Sequence, residues 1–361
     1  MLLSPYAFIH IEQVEANMKA MADRLRAAGI DHWPHIKTHK SVRFARMQMA
    51  FGAKGITVAK LSEAEVMAEA GIGPLLIAFP IIGEQNLLRL QKLAQKTKIR
   101  TIVDSSVVAE GLSRAGEAIG AKIEVLIEID PGTHRGGVQP GQGVLDLAQV
   151  LDRLPGIELV GVMTYSGQLV YGAKSEEDIM KLAETEAKLL TDTKALLLEH
   201  GFKITVTSGG STPASFYPEH MQGISESRAG NYVFGDRKAV ALGLMKEEEC
   251  ALRVSATVVS TPLPGYSTID AGSKTLTTDL SMMNTGFGGI VGKPGVELAK
   301  LNEEHGYLRF DPEHDRFDIG ERVEIIPNHS CVIPNLCDKI ALFREGVADG
   351  YVTVDARGKN Y

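Results

Sequence analysis

The sequence predicts an α/β chain, a (β/α)8 TIM-type barrel with a C-terminal β-rich domain, on three observations. Eight short apolar or β-branched runs recur over the first two thirds of the 361 residues. Helical patterns with apolar residues on one face separate these runs, which is the alternation of a parallel sheet. From about Ala239 onward, β-prone runs follow one another with Gly and Pro between them and no long helical stretch.

Taken in order, the first run is "HWPHIK", followed by "GITVAK" (55–60), "PLLIAFP" (74–80) and "IRTIVD" (99–104). The next four are "KIEVLIEID" (122–130), "LVGVMTYSG" (159–167), "KITVTSGG" (203–210) and "SRAGNYVFG" (227–235). The intervening helices carry their own start and stop signals: Ser62 as a candidate N-cap in "LSEAEVMAEAG", and Gly201 closing the long acidic-started pattern from Ser175. Eight strand-helix units in roughly 230 residues fit a closed barrel better than an open sheet. The later runs are "ALRVSATVVSTP", "YSTIDAGS", "RVEIIPNHSCVIP" and "DGYVTVDARG". The expected division is therefore 1–238 and 239–361, with the N-terminal run "PYAFIHI" free to join either part.

Composition narrows the function classes. A formal net charge of -7, a pI near 5.9 and no basic cluster interleaved with aromatics argue against a nucleic-acid partner. The N-terminal apolar run meets Glu12 and Glu15 at once, and no later stretch approaches a membrane span. The expectation is a soluble cytoplasmic protein. Three cysteines, Cys250, Cys331 and Cys337, make no disulfide framework, so each thiol is judged as a ligand or nucleophile.

In a barrel, functional residues gather where strands run into their helices. Lys37 ends the first run, Arg135 follows the fifth in "IDPGTHRGGV", Tyr165 and Gln168 follow the sixth, and "TSGGSTP" (207–213) follows the seventh. Consecutive glycines ahead of small hydroxyl residues and a helix start can turn backbone N–H groups onto a phosphate, although Gly-Gly in such a loop also serves as a plain tight turn. A lysine across the same mouth suits a phosphorylated aldehyde held as a Schiff base, its amine activated by desolvation and neighbouring cations. The alternative for Lys37 and Lys40 is a solvated loop, and for His35 and His39 hydrogen-bonded structure in place of acid or base work. His329 and Cys331, one residue apart in a stretch expected to be extended, point to the same side and can grip one ion. An imidazole with a thiolate favours Zn, with Mn or Mg open to a site completed by water and substrate oxygens; a structural role is the other reading.

The ordered set "PHIKTHKS", "GITVAKLSEAE", "IDPGTHRGGV", "TSGGSTP", "ESRAGNYVFGD", "DAGSKTLTTD" and "IIPNHSC" covers nearly the whole chain and resembles the D-threonine aldolase and D-serine dehydratase family. That family's members are pyridoxal 5'-phosphate enzymes with an alanine racemase-like barrel and a β-rich C-terminal domain, often dimers. The resemblance implies Lys37 as the Schiff-base lysine, and Ser208, Gly209, Gly210, Ser211 and Thr212 as the phosphate loop with Gly230 and Tyr232 beside it. It implies Arg135 near the cofactor's phenolic oxygen, Tyr165 near its ring or pyridine nitrogen, and Arg228 at that nitrogen, where an arginine leaves a weaker electron sink than an acid does. His329 and Cys331 fall on the family's divalent-metal ligands, His39 and Asp279 lie in its motifs without an assigned role, and Gln168 stays a further candidate from the loop after the sixth run. The sequence departs from the family at Trp33, where an arginine is expected before the Pro-His pair. Cys250 and Cys337 have no partner at metal spacing and read as core thiols.

Those residues imply a lyase acting on D-3-hydroxy amino acids. Retro-aldol cleavage, as in a D-threonine aldolase, gives glycine and an aldehyde. Elimination, as in a D-serine or 3-hydroxy-D-aspartate dehydratase, gives a 2-oxo acid and ammonia. A metal-free amino-acid racemase ranks behind both because His329 and Cys331 occupy the metal positions. A non-catalytic cofactor-binding protein ranks last, since single-barrel relatives of that kind lack the roughly 120-residue second domain.

Overall fold

The computed structural model describes residues 3–167, 169–173, 175–280 and 285–361, and the side chains of Val170 and Tyr171 lie outside that description. The chain divides into two compact units. One holds the stretch up to Lys19, Thr38–Ser41 and Asn231–Gly358; the other holds Ala20–Lys37, Val42–Gly230 and Lys359–Tyr361.

The second of these is the barrel. Its eight strands are Asp31–His32, Ile56–Val58, Leu75–Ile77, Ile99–Val103, Ile123–Ile129, Ile157–Thr164, Val206–Gly209 and Glu226–Ser227. Each is parallel to its neighbour, and Glu226–Ser227 pairs with both Val206–Gly209 and Asp31–His32. The ring closes through a parallel bridge between His35 and Thr57 and through backbone bonds from Thr57 N–H to the Pro34 carbonyl and from Lys54 N–H to the His32 carbonyl, each 2.9 Å. All eight runs read from the sequence therefore appear as strands, but the first and last are only two residues long. Pro34 has no N–H to give a ladder and the chain turns into a short 3-10 helix at Ile36–Thr38. At the other end, the Arg228 N–H bonds the Gly209 and Gly210 carbonyls, and the backbone then winds into a second such turn at Asn231–Val233.

Inward-facing apolar residues fill the barrel: Leu76, Ile102, Leu126 and Met163 pack together with Trp33. Trp33 is buried, with the Arg100 guanidinium carbon 4.8 Å from its ring centroid. A Cβ at Gly55 would come within 2.3 Å of the indole, so Gly55 is what admits the ring. The residue that departs from the family is thus part of the barrel core.

The other unit is a nine-stranded sheet, almost wholly antiparallel. Leu252–Leu263 pairs with Arg322–Pro327 on one side and with Tyr266–Ile269 on the other. Gly306–Arg309, Glu297–Leu301 and Gly288–Ile290 continue from Tyr266–Ile269 back to Arg322–Pro327, closing a six-stranded ring. The N-terminal strand Tyr6–His10 belongs here, antiparallel to Leu252–Leu263 and parallel to Lys339–Arg344, with Val347–Thr353 at the edge.

Candidate active site

In the barrel unit, Lys37 occupies the 3-10 turn after the first strand, its N–H donating to His35 Nδ1 at 3.4 Å. Its half-buried ammonium lies 5.6 Å from the centroid of the Tyr165 ring and has no hydrogen bond or ion pair among the described residues. The Arg135 guanidinium stands 4.7 Å from the same centroid. One phenol ring therefore carries two cations, from loops after the first and fifth strands, as the barrel rule predicts for residues so far apart in sequence. Arg135 also lies 3.8 Å from Glu128, a largely buried carboxylate whose pKa is raised by burial against the opposing pull of Arg135 and Arg228.

Arg228 is fully enclosed. It donates from Nη1 to Ser208 Oγ and from Nη2 to the Thr164 carbonyl, each at 2.6 Å, and ties the sixth, seventh and eighth strands together. Burial pulls its guanidinium down from the ordinary value, while Glu186, Glu226 and Glu128 push it back. Glu186, from the helix Glu176–Glu199, accepts from the Ser166 hydroxyl and from the Gly210 N–H, the latter at 2.7 Å. Burial raises its pKa.

Of the five residues expected to hold phosphate, Ser208 and Gly209 end the seventh strand, Gly210 and Ser211 make the turn, and Thr212 opens the short helix Thr212–Ser215. Gly210 has a positive φ of 75°, and a Cβ there would meet Met221 Cε at 2.7 Å and Ser227 Oγ at 2.8 Å. A Cβ at Gly209 would touch Ile224 Cδ1 at 2.8 Å. The backbone can pass so closely only because both residues are glycine. Ser211 caps the short helix Thr212–Ser215, accepting from Ala214 N–H, and Thr212 Oγ1 accepts from Gly230 N–H at 3.2 Å. The Gly210 N–H is committed to Glu186 and so is not one of the groups turned outward, which narrows the sequence expectation for this loop.

In the sheet unit, His329 and Cys331 do not lie on an extended strand, contrary to the sequence reading. The strand Arg322–Pro327 ends first and both residues sit in the turn that follows, where side chains meet by turn geometry and not by strand alternation. Asp236, buried and at the N-cap of the helix Arg237–Ala241, organises that turn. It accepts from His329 Nδ1 at 2.8 Å, Asn231 Nδ2 at 2.8 Å, Ser330 N–H at 3.1 Å and Ala239 N–H at 3.0 Å. The Ser330 hydroxyl donates to Asn231 Oδ1. Cys331 Sγ is 3.1 Å from the hydroxyl of Thr38, the residue after Lys37 in the chain. The charge of Cys331, with the Asp236 hydrogen bond, raises the His329 pKa to about 11 against the opposing effect of burial. Among the described residues no group of three or more His, Cys, Asp or Glu side chains is disposed around one point.

The remaining candidates fall as follows. His39 is buried and accepts the Ser41 N–H at Nδ1. Tyr232 is buried in the Asn231–Val233 turn, not on a strand. Asp279 accepts from Asn328 Nδ2 through its carbonyl at 2.8 Å, while its carboxylate Oδ2 is buried without a hydrogen-bond partner among the described residues. Gln168 lies outside the described residues. Cys250 is buried, its thiol pushed up to about 12, and burial also raises Cys337, neither being a reactive thiol. Sequence reasoning missed Glu128, Glu186 and Asp236. Only Asp236 offered a signal, an aspartate immediately before the helical pattern "RKAVA".

Residues 9–238 match the family model described as "Alanine racemase, N-terminal domain", and residues 251–343 match "Putative serine dehydratase domain". The chain belongs to this family, which joins an alanine racemase-type barrel to a serine dehydratase-type domain. A D-threonine aldolase from Arthrobacter sp. is 32% identical over 357 residues, 98% of this chain and 93% of that protein. A D-threo-3-hydroxyaspartate dehydratase from Delftia sp. is 35% identical over 347 residues, 91% of this chain and 90% of that protein. A solved structure of a D-threo-3-hydroxyaspartate dehydratase, a cysteine-to-alanine variant in the metal-free form, superposes with a TM-score of 0.90 at 31% identity over 98% of both chains. The crystal structure of D-threonine aldolase from Filomicrobium marinum superposes with a TM-score of 0.91 at 30% identity over 100% of this chain and 97% of that one. These named relatives are aldolases and dehydratases, which are lyases.

Proposed function

We propose that this chain is a pyridoxal 5'-phosphate- and divalent-metal-dependent lyase of D-3-hydroxy amino acids that cleaves the Cα–Cβ bond to release glycine and an aldehyde, as a D-threonine aldolase does. The observation that carries the reading is the His329–Cys331 pair on one turn. An imidazole and a thiol held together are a donor set for a borderline-soft ion such as Zn, and such an ion is what separates this chemistry from a metal-free racemase. Mn or Mg would need more oxygen donors from water and substrate.

The barrel residues fit the organic cofactor. The Lys37 amine has no hydrogen bond or ion pair among the described residues, and the backbone passes Gly209 and Gly210 so closely that a Cβ would collide. When bound, the cofactor supplies an electron sink at the substrate's Cα and the metal ion activates the 3-hydroxyl. Lys37 would hold the cofactor's aldehyde carbon. Ser208, Gly209, Ser211, Thr212 and Gly230 would hold its phosphate, with Tyr232 as a further contact, and Arg228 fixes Ser208 from behind. Tyr165 and Arg135 would lie along the ring. His329 and Cys331 would hold the metal, with Cys331 tethered to Thr38. The reading assigns the cofactor to 1–238 and the metal to 239–361, and takes the protein as a cytoplasmic homodimer.

A second reading, elimination to a 2-oxo acid and ammonia, is favoured by the likeness to a dehydratase at 35% identity. There Lys37 would take the proton from Cα. The two routes separate on products. Protein supplied with pyridoxal 5'-phosphate, a divalent ion and D-threonine is expected to yield glycine and acetaldehyde by mass spectrometry. Production of 2-oxobutanoate and ammonia would replace the aldolase reading with the dehydratase one. Turnover unchanged by a chelator would overturn both.

A further inference from the structure

The buried carboxylate of Asp236 does more than cap a helix. Its Oδ1 accepts the Ala239 N–H, which is the whole of the cap, while Oδ2 takes His329 Nδ1, Asn231 Nδ2 and Ser330 N–H. A neutral serine or asparagine caps a helix as well as aspartate does, so capping alone gives no reason to bury an ionisable group completely. The three remaining donors all come from the turn that carries His329 and Cys331 or from Asn231, which itself accepts from Ser330. An ionised carboxylate is an acceptor only, so a 2.8 Å bond to it places a proton on His329 Nδ1 and leaves Nε2 as the nitrogen that would exchange its proton for an ion.

We infer that Asp236 is the positioning residue of the metal site: it fixes the tautomer and orientation of His329 so that Nε2 is presented to the ion, and through Ser330 it fixes the turn that carries Cys331. The inference rests on the metal reading above. Carboxylate partners of this kind tune ligand basicity and affinity without touching the metal.

Asp236→Ser separates the two roles, because serine keeps the cap to Ala239 but is too short to reach the imidazole. With zinc in competition against a chromophoric chelator, Asp236→Ser is expected to bind Zn about 10- to 100-fold more weakly than wild type. Its metal-free thermal midpoint should fall, because Asn231 Nδ2 and Ser330 N–H lose their buried acceptor, while the visible absorbance of its Lys37–pyridoxal phosphate Schiff base should match wild type. Asp236→Asn, which keeps the size of the side chain and offers an N–H towards the imidazole, should show the same weakening if Asp236→Ser does not fold. Nitrogen-15 spectra of the metal-free wild type, with His329→Gln to assign the signal, should show the proton on Nδ1. Equal zinc affinity in wild type and a folded variant, or an Nδ1 without a proton, would overturn the inference alone. A wild type that binds no divalent ion would overturn the metal reading itself.

Discussion

Gly210→Ala tests whether the turn after the seventh strand is a rigid cradle. Two costs can be read from the structure. The left-handed φ of 75° costs a residue with a Cβ about 1–2 kcal/mol. The new methyl would also lie 2.7 Å from Met221 Cε, which can swing away, and 2.8 Å from Ser227 Oγ, which cannot do so freely, since it is hydrogen-bonded to Ser215 Oγ and to Ala229 N–H. Crowding of that kind costs about 1–3 kcal/mol, for a sum near 3 kcal/mol. Gly71→Ala is the control: its φ is 74° but nothing lies within 4 Å of the new methyl, so it carries the first cost only. Urea unfolding followed by circular dichroism should place Gly210→Ala below Gly71→Ala by the crowding cost. Titration of cofactor-free protein should show pyridoxal phosphate binding weakened about 10- to 100-fold in Gly210→Ala, as the displaced turn costs the charged phosphate one hydrogen bond from a neighbouring residue, and unchanged in Gly71→Ala. Equal unfolding and equal cofactor affinity in the two variants would refute the cradle.

Two further outcomes follow. Lys37→Ala should lose the visible Schiff-base absorbance and all turnover while keeping its urea midpoint, because among the described residues the ammonium has no ion pair or hydrogen bond whose loss would be felt in folding; a retained absorbance would remove Lys37 from its role. His32 is buried, and desolvation lowers its pKa from 6.5 to about 4. Between those values the unfolded chain binds a proton that the folded chain does not, so folding stability is lost as pH falls through this window, by about 3 kcal/mol at its lower end. His32→Phe should lack that component, and wild-type and variant urea midpoints that fall in parallel from about pH 7 to about pH 4.5 would dismiss it.

The eight barrel strands were legible because each is a short apolar run bounded by turn signals, a pattern with few competing solutions. Their ends were not. Pro34, with no N–H for a ladder, halts the first, and the last stops where the Arg228 N–H turns to the Gly209 and Gly210 carbonyls, partners remote in sequence. The grouping of Lys37, Arg135 and Tyr165 was legible through the barrel rule alone, since the common ring is visible only in three dimensions. The His329–Cys331 pair was found at the correct spacing for an incorrect local reason, because Asp236 and Asn231 shape a turn where a strand was expected. Glu186 was hidden for another reason. It belongs to "KLAETEAKLL", in a helix with a charged exposed face and an apolar buried stripe, where a glutamate among Ala183 and Leu190 reads as a break in the stripe and not as a site.

The place of Tyr6–His10 in the antiparallel sheet ties segments far apart in the sequence to one event. Phe8 is flanked by Arg253 on one side and Ala341 on the other, so a strand made before those of the barrel is among the last to find both its neighbours. The barrel can condense while synthesis continues, whereas this sheet waits for translation to reach Lys339–Arg344. Until then the nascent chain carries an unpaired β segment, a natural client for a holding chaperone, and changes made beside Tyr6–His10 act on a domain whose other strands are encoded more than two hundred residues later.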